Sequence, residues 1–239
     1  DVNAAGAART HEVWLLPRHS RVDAQTLEAR GIAAARPPLV IADPNWLTAT
    51  EAIGWPVHPK DTRRFPKVER VIADYWNDLI AGRNILRPTG LIEWGRTPYI
   101  SGVNQHFRTG RIEDYYLRRN AWMLYARSGD RRYYEWAQRF NRFSADFSVA
   151  HWTGGDGKVK GAYVDFYVQP PFYWGHDTRM WQSGSGKSVS HWLIGYYLTG
   201  DAYALDMTRM VGQAYKAIWT RRRVEKGVTN LNAYPILVR

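Results

Sequence analysis

Apolar side chains recur at helical spacing in the stretch that follows Phe65. They occupy positions 68, 71, 72, 75, 76 and 79, which lie on one face of a helix. Pro66 suits a first helical turn, because the amide hydrogen that proline lacks has no partner there. The pattern therefore predicts a helix from about Phe65 to Gly82.

Two further stretches have the pattern of a helix, a Gly-Asp turn and a second helix. The turns are Gly129-Asp130 within residues 111–143 and Gly200-Asp201 within residues 188–219. Glycine readily adopts the left-handed conformation that ends a helix, and aspartate caps the start of the next one. We expect two antiparallel helical hairpins. The first helix of each is apolar on most sides, which is typical of a helix packed between neighbours.

The first 65 residues have a different pattern. Short β-type runs at residues 12–16 and 39–41 are separated by many prolines. Because prolines disrupt helix interiors, this part of the chain is predicted to be strands and loops. The expected fold class is thus mainly α, with helical hairpins preceded by a short β-rich segment.

Composition narrows the function classes. The chain has 239 residues, of which 45% are apolar and 23% charged, an ordinary globular balance. It has no cysteine, which excludes disulfide frameworks, thiolate metal sites and cysteine nucleophiles, but leaves a metal site of His and carboxylates possible. No apolar run reaches the length of about 18 residues that a membrane span needs.

Aromatic residues and positive charge are both abundant. The chain has 12 Trp, 15 Tyr and 7 Phe, and a formal net charge of +11. Exposed aromatic rings stack on sugars or nucleobases, and a basic surface suits a polyanion. Sequence signatures of nucleic-acid-binding folds are missing, so the positive charge is the only argument for nucleic acid as a partner. Nine arginines fall between Arg108 and Arg142, and we expect most of them on a solvated outer face.

Histidines are concentrated around a Gly- and aromatic-rich stretch between the two hairpins, residues 151–187. His151 begins the stretch and His191 lies on the helix after it. Lys187, His191 and Gly195 are four residues apart and share a helix face, on which Gly195 would leave space for a ligand beside the imidazole. The alternative is a packed core histidine, with Gly195 permitting close helix contact.

Several segments resemble the exo-rhamnogalacturonan lyase family of polysaccharide lyases. The sharpest match is His191-Trp192-Leu193-Ile194-Gly195-Tyr196-Tyr197-Leu198-Thr199-Gly200-Asp201, and further matches are Ala7–Trp14, Pro44–Trp46, Ala52–Gly54, Phe65–Glu69, Glu93–Gly95 and His151. Two positions depart from the family pattern. Arg96 stands where an acidic residue is expected, and Asn104–Phe107 replaces a more acidic segment.

The resemblance implies an (α/α) toroid preceded by a β-rich domain. Residues 1–65 would be the end of that β-rich domain and a linker, and residues 66–239 the toroid. At roughly 35 to 40 residues a hairpin, the chain has room for only about three or four of the six helix pairs. The toroid is therefore expected to be incomplete.

The resemblance also implies β-elimination on an acidic, pectin-type polysaccharide. His151 or His191 would be the base and Tyr167 or Tyr173 the acid. Arg179 and Lys187 would hold the uronate carboxylate. The remaining substrate-binding residues would be His106, His176, Trp174 and Trp181.

We expect His151, His176, Arg179 and His191 to converge on one cleft. No cofactor is required, although calcium can replace the cationic side chains in some lyases. Neither nucleic acid nor membrane is an expected partner. The protein would be a secreted or periplasmic bacterial enzyme.

Two other functions remain open. A glycoside hydrolase would need two carboxylic residues flanking the cleaved bond, and the candidates are Asp156, Asp165, Asp177 and Asp201. A non-catalytic module would hold a glycan on the aromatic stretch, with structural histidines.

Overall fold

The structure is a computed structural model that describes residues 8–15, 17, 21–53, 56–86, 98–100, 107–109, 117–152, 160–162 and 189–226. These residues are mainly helical, as the sequence predicts. The helices are α1 (Ala24–Ala35), α2 (Pro44–Ala49), α3 (Pro66–Leu86), α4 (Leu117–Ser128), α5 (Arg131–Phe147), α6 (Ser190–Thr199) and α7 (Ala202–Lys226). Two short strands, β1 (Pro98–Ile100) and β2 (Phe107–Thr109), pair antiparallel.

Both predicted hairpins are confirmed in the described residues. The α4–α5 turn has Gly129 at φ +67°, and the α6–α7 turn has Gly200 at φ +72°. Each following aspartate caps the returning helix: the Asp130 carboxylate accepts from the Arg132 amide at 2.9 Å, and the Asp201 carboxylate from the Tyr203 amide at 3.0 Å. Left-handed glycine and capping aspartate together reverse the chain within two residues.

The β-rich prediction for residues 1–65 is wrong where α1 and α2 form. Asp23 caps α1 by accepting from the Thr26 amide, and Asp43 caps α2 by accepting from the Asn45 amide. Pro44 is the first residue of α2, where its missing amide hydrogen costs nothing. The prolines therefore bracket the helices instead of interrupting them. Residues 12–15 and 39–41 are not in strands.

The core consists of two clusters that meet at α6. The first is aromatic and contains Trp76 of α3, Trp122 of α4 and Phe140 of α5, with Ile194 of α6. The second contains Trp192 of α6 with apolar residues of α5 and α7, of the residues just after α5 and of the residue before α6. Because α6 supplies a side chain to both clusters, its position fixes the two hairpins against each other.

Asn141 of α5 connects three helices at this point. The Trp122 indole donates to the Asn141 side-chain oxygen at 3.2 Å, and the Asn141 amide donates to the His191 carbonyl at 3.2 Å. The Trp192 indole donates to the Asn141 carbonyl at 3.0 Å. Asn141 is 3% exposed, so these bonds satisfy a polar group that would otherwise be costly to bury.

A buried ion pair joins α3 to the end of α4. Arg127 donates through both terminal nitrogens to the Glu69 carboxylate, and the Glu69 side chain is 4% exposed. Arg127 also donates to the carbonyls of His58 and Pro59, and its own carbonyl accepts from the Lys60 amide at 2.8 Å. The pair therefore holds the segment before α3 as well.

Gly195→Ala should destabilise the protein. A Cβ at this position would overlap the Asn141 amide nitrogen and lie 3.1 Å from the Trp122 ring, so Asn141 would have to leave the His191 carbonyl. Loss of a buried hydrogen bond costs about 1–3 kcal/mol, more than the about 1 kcal/mol that alanine gains over glycine in a helix. Thermal unfolding should give a lower Tm.

Gly212→Ala is the matched control, because Gly212 is also a helical glycine but a Cβ there would meet only open space. This variant should be stabilised by about 0.5–1 kcal/mol. Equal stabilisation of both variants would contradict the close contact at Gly195.

Glu69→Gln should cost about 3 kcal/mol at neutral pH, because it leaves the largely buried guanidinium of Arg127 without its carboxylate. The hydrogen bond from Arg127 holds the pKa of Glu69 below its ordinary value of 4.5. The carboxylate therefore stabilises the fold above pH 4.5, and this contribution is lost as pH falls through the lowered pKa.

Denaturant unfolding as a function of pH tests this pair. The difference between wild type and Glu69→Gln should shrink below about pH 4.5. Asp206→Asn, which removes an exposed ion pair with Arg209, should change stability by less than about 1 kcal/mol. A pH-independent difference for Glu69→Gln would argue against the charged pair.

Candidate functional site

A groove of about 840 Å³ lies between α5, the end of α1 and the N-terminal segment. We call this groove the α5 groove, and residues 8–14 the N-terminal strap. The α5 side chains that line it follow helical spacing: Arg131, Tyr134, Glu135, Gln138, Arg139 and Arg142. The opposite face of α5 is buried in the core through Trp136, Ala137 and Phe140.

Cations outnumber carboxylates in the lining. Among the described lining residues, the cations are Arg36, Arg131, Arg139 and Arg142, and the carboxylates are Glu12 and Glu135. Arginine presents a planar fork that binds carboxylates and phosphates through two parallel hydrogen bonds. The composition of the groove therefore suits an anionic ligand.

Glu135 is held between two of these arginines. Its carboxylate accepts from Arg36 Nε at 2.7 Å and from Arg131 Nε at 2.8 Å. Partial burial raises the pKa of Glu135, but the bonds from Arg131 and Arg36 outweigh burial and keep the pKa below its ordinary value. Arg131 also donates to the Pro37 carbonyl at 2.9 Å, which attaches the loop after α1 to α5.

Aromatic rings hold the other two guanidinium groups in place. Arg139 lies over the Trp136 ring at 5.0 Å, and Arg142 lies over the Tyr203 ring at 5.1 Å. Arg142 is also 3.3 Å from the Glu12 carboxylate and 3.5 Å from that of Asp201. Cation–π contacts of this kind help to fix the position of a guanidinium group.

Asp146, at the end of α5, anchors the N-terminal strap. Its carboxylate accepts from the Thr10 amide, from the Thr10 hydroxyl at 2.7 Å and from the Tyr203 hydroxyl at 3.1 Å. The Asp146 carbonyl accepts from the Ala8 amide at 2.8 Å. Burial and the nearby Asp146 charge raise the pKa of Tyr203 to about 12, so its hydroxyl remains a donor.

Trp14 provides an apolar surface in the groove. Its side chain lines the groove, and the residue is 58% exposed. Ile32 of α1 lines the same groove and is 59% exposed. An exposed indole beside arginines can stack on the face of a sugar ring. The groove thus combines an aromatic platform with guanidinium groups.

Most of the sequence-predicted site lies outside the described residues. This applies to the substrate-binding and acid residues His106, Tyr167, Tyr173, Trp174, His176, Arg179, Trp181 and Lys187. The predicted convergence of His151, His176, Arg179 and His191 therefore stays a prediction. Only His151 and His191 are described.

His191 lies in the core, on α6. It is 2% exposed, its ring centroid is 4.2 Å from that of Trp192, and its carbonyl accepts from Asn141. The expectation that Gly195 leaves space for a ligand is wrong, because Asn141 and Trp122 occupy that space. The alternative, a glycine that permits close helix contact, is the one observed.

His151 lies just beyond α5 and is only partly buried. Its Nε2 donates to the Ala145 carbonyl at 2.7 Å, so the hydrogen of the neutral imidazole is on Nε2 and the lone pair on Nδ1. Ala145 and the strap anchor Asp146 are consecutive. His151 is thereby attached to the last turn of α5, one turn beyond Arg142.

The prediction that most of the arginines between residues 108 and 142 lie on a solvated face is wrong for Arg118 and Arg127. Arg118 is 3% exposed and donates to the Ser144 hydroxyl, and Arg127 pairs with the buried Glu69. Arg131, Arg139 and Arg142 line the groove. The spacing of these three along α5 was the available signal, since it alternates with the apolar residues that face the core.

Neither a protein-family model nor a curated protein matches the chain. Within the described residues, no cluster of three His or carboxylate side chains has the arrangement of a metal site. The described helices include none that combines the length and the apolar character needed to cross a bilayer.

Proposed function

We propose that the protein binds an acidic, pectin-type polysaccharide such as rhamnogalacturonan along the α5 groove and cleaves it by β-elimination. One observation carries this proposal: four arginines and the exposed indole of Trp14 line the same groove. A uronate-containing chain presents both carboxylates, which arginines bind, and sugar faces, on which indoles stack. The helical hairpins would form part of an (α/α) toroid, in a secreted or periplasmic enzyme.

β-Elimination needs a base for the C5 proton, neutralisation of the uronate carboxylate and an acid for the leaving oxygen. For the base we favour His151 over His191, because His151 is partly exposed, has its lone pair on Nδ1 and is attached to the end of the groove helix. Tyr167 or Tyr173 would be the acid. Arg179 and Lys187 would hold the carboxylate, with calcium as a substitute for them.

The second candidate is a non-catalytic glycan-binding module. The observation that favours it is the burial of His191, which is 2% exposed and lies beside the Trp192 ring in the core. A glycoside hydrolase remains the other alternative. Of its candidate carboxylates, Asp156, Asp165 and Asp177 lie outside the described residues, and Asp201 caps α7 and lies 3.5 Å from Arg142.

Calorimetric titration with polygalacturonate and rhamnogalacturonan tests binding. Arg139→Gln should weaken binding about 10-fold, in line with loss of a charge-assisted hydrogen bond. Arg209→Gln removes the same charge from the exposed surface of α7 and should leave binding within about twofold. Equal losses in the two variants would mean that net charge, and not the groove, attracts the ligand.

Product analysis separates the three functions. Ultraviolet absorbance of an unsaturated uronate indicates a lyase, and new reducing ends without that absorbance indicate a hydrolase. On the lyase proposal, His151→Ala should lower turnover about 100-fold while binding changes little. Binding with neither product contradicts catalysis and leaves the binding module.

A further inference from the structure

We propose that Glu12 is an internal counter-ion of the α5 groove, which occupies Arg142 in the free protein and yields it to a carboxylate of a bound oligouronate. This inference rests on the proposed function, because it takes an acidic saccharide as the ligand. It assigns a discriminating role to a strap residue, since a ligand must bring its own carboxylate to replace that of Glu12.

Arg142 is the fixed partner in this pair. It is 24% exposed at the side chain, lies over the Tyr203 ring at 5.1 Å, and is 3.5 Å from Asp201 at the turn before α7. These contacts come from α7 and its cap, so they persist whether or not Glu12 is in place. The guanidinium is therefore ready to accept another carboxylate.

Glu12 is the loosely held partner. Its side chain is 65% exposed, and its contact with Arg142 is 3.3 Å long. Exposed ion pairs contribute little net stability, because water competes for both charges. The other groove carboxylate differs: Glu135 is bonded to two arginines at 2.7 and 2.8 Å, and we expect it to remain in place.

The Glu12 side chain can rotate away from Arg142 while the backbone of the N-terminal strap stays anchored. Asp146 holds the backbone at Ala8 and Thr10, ahead of Glu12 in the chain. Rotation of the Glu12 side chain leaves those bonds intact. Displacement therefore requires the loss of one exposed ion pair, not the detachment of the strap.

The exchange favours acidic ligands over neutral ones. A uronate carboxylate that replaces Glu12 on Arg142 restores the charge pairing and leaves Glu12 hydrated. A neutral glycan that displaced Glu12 would leave Arg142 with fewer negative partners. Glu12 also repels anions as long as it lines the groove.

Calorimetry with trigalacturonate as the probe, and its methyl ester as the neutral reference, tests the inference. Glu12→Gln should bind trigalacturonate about two- to fivefold more tightly than wild type, the range expected for removing an exposed competing ion pair. Binding of the methyl ester should not improve. Asp206→Asn, which makes the same change in net charge on α7, should resemble wild type.

Glu12→Asp provides a second variant that keeps the charge. Its shorter side chain should release Arg142 and yet still repel the ligand, so the gain in affinity should be smaller than that of Glu12→Gln. Thermal unfolding of each variant checks that the fold is kept.

The outcomes separate the two proposals. If wild type binds trigalacturonate and Glu12→Gln binds it no better than Asp206→Asn does, the counter-ion role of Glu12 is overturned and the proposed function stands. An equal gain for the methyl ester also overturns that role, because the gain would not depend on a carboxylate. If neither wild type nor Glu12→Gln binds trigalacturonate, both proposals fail.

Discussion

A single buried amide, Asn141, determines how the two hairpins pack. It accepts from the Trp122 indole of α4, donates to a carbonyl of α6 and lies in α5, so one side chain ties three helices together. Buried polar groups are tolerated only when their hydrogen bonds are made, which leaves few alternative arrangements of these helices. This constraint requires glycine at position 195, because α6 approaches Asn141 too closely there for a Cβ.

The same constraint orients the groove. Once α5 is fixed by Asn141 and by the aromatic core, its remaining face presents Arg131, Arg139 and Arg142 to the N-terminal strap. Asp146, near the end of that helix, then holds the strap through Thr10. Fold and candidate site therefore depend on one helix, with one face in the core and the other lining the groove.

Local signals in the sequence were sufficient for part of this fold. The Gly-Asp turns predicted both hairpins, because left-handed glycine and capping aspartate act within a few residues. Proline content does not predict the helices before residue 65, because what decides them is position: Asp23 and the Asp43-Pro44 pair stand at helix starts, where aspartate caps and proline costs nothing. The groove could not be predicted, since Thr10 and Asp146 are 136 residues apart in the chain. Burial of Arg118 and exposure of the groove arginines likewise depend on tertiary packing, which spacing alone does not determine.

The most direct measurement is a crystal structure of the protein with trigalacturonate bound. We expect a uronate carboxylate on the guanidinium of Arg142, with Glu12 turned away, and a sugar ring against the indole of Trp14. A trisaccharide bound outside the α5 groove, with Glu12 still on Arg142, would contradict the proposed role of the groove.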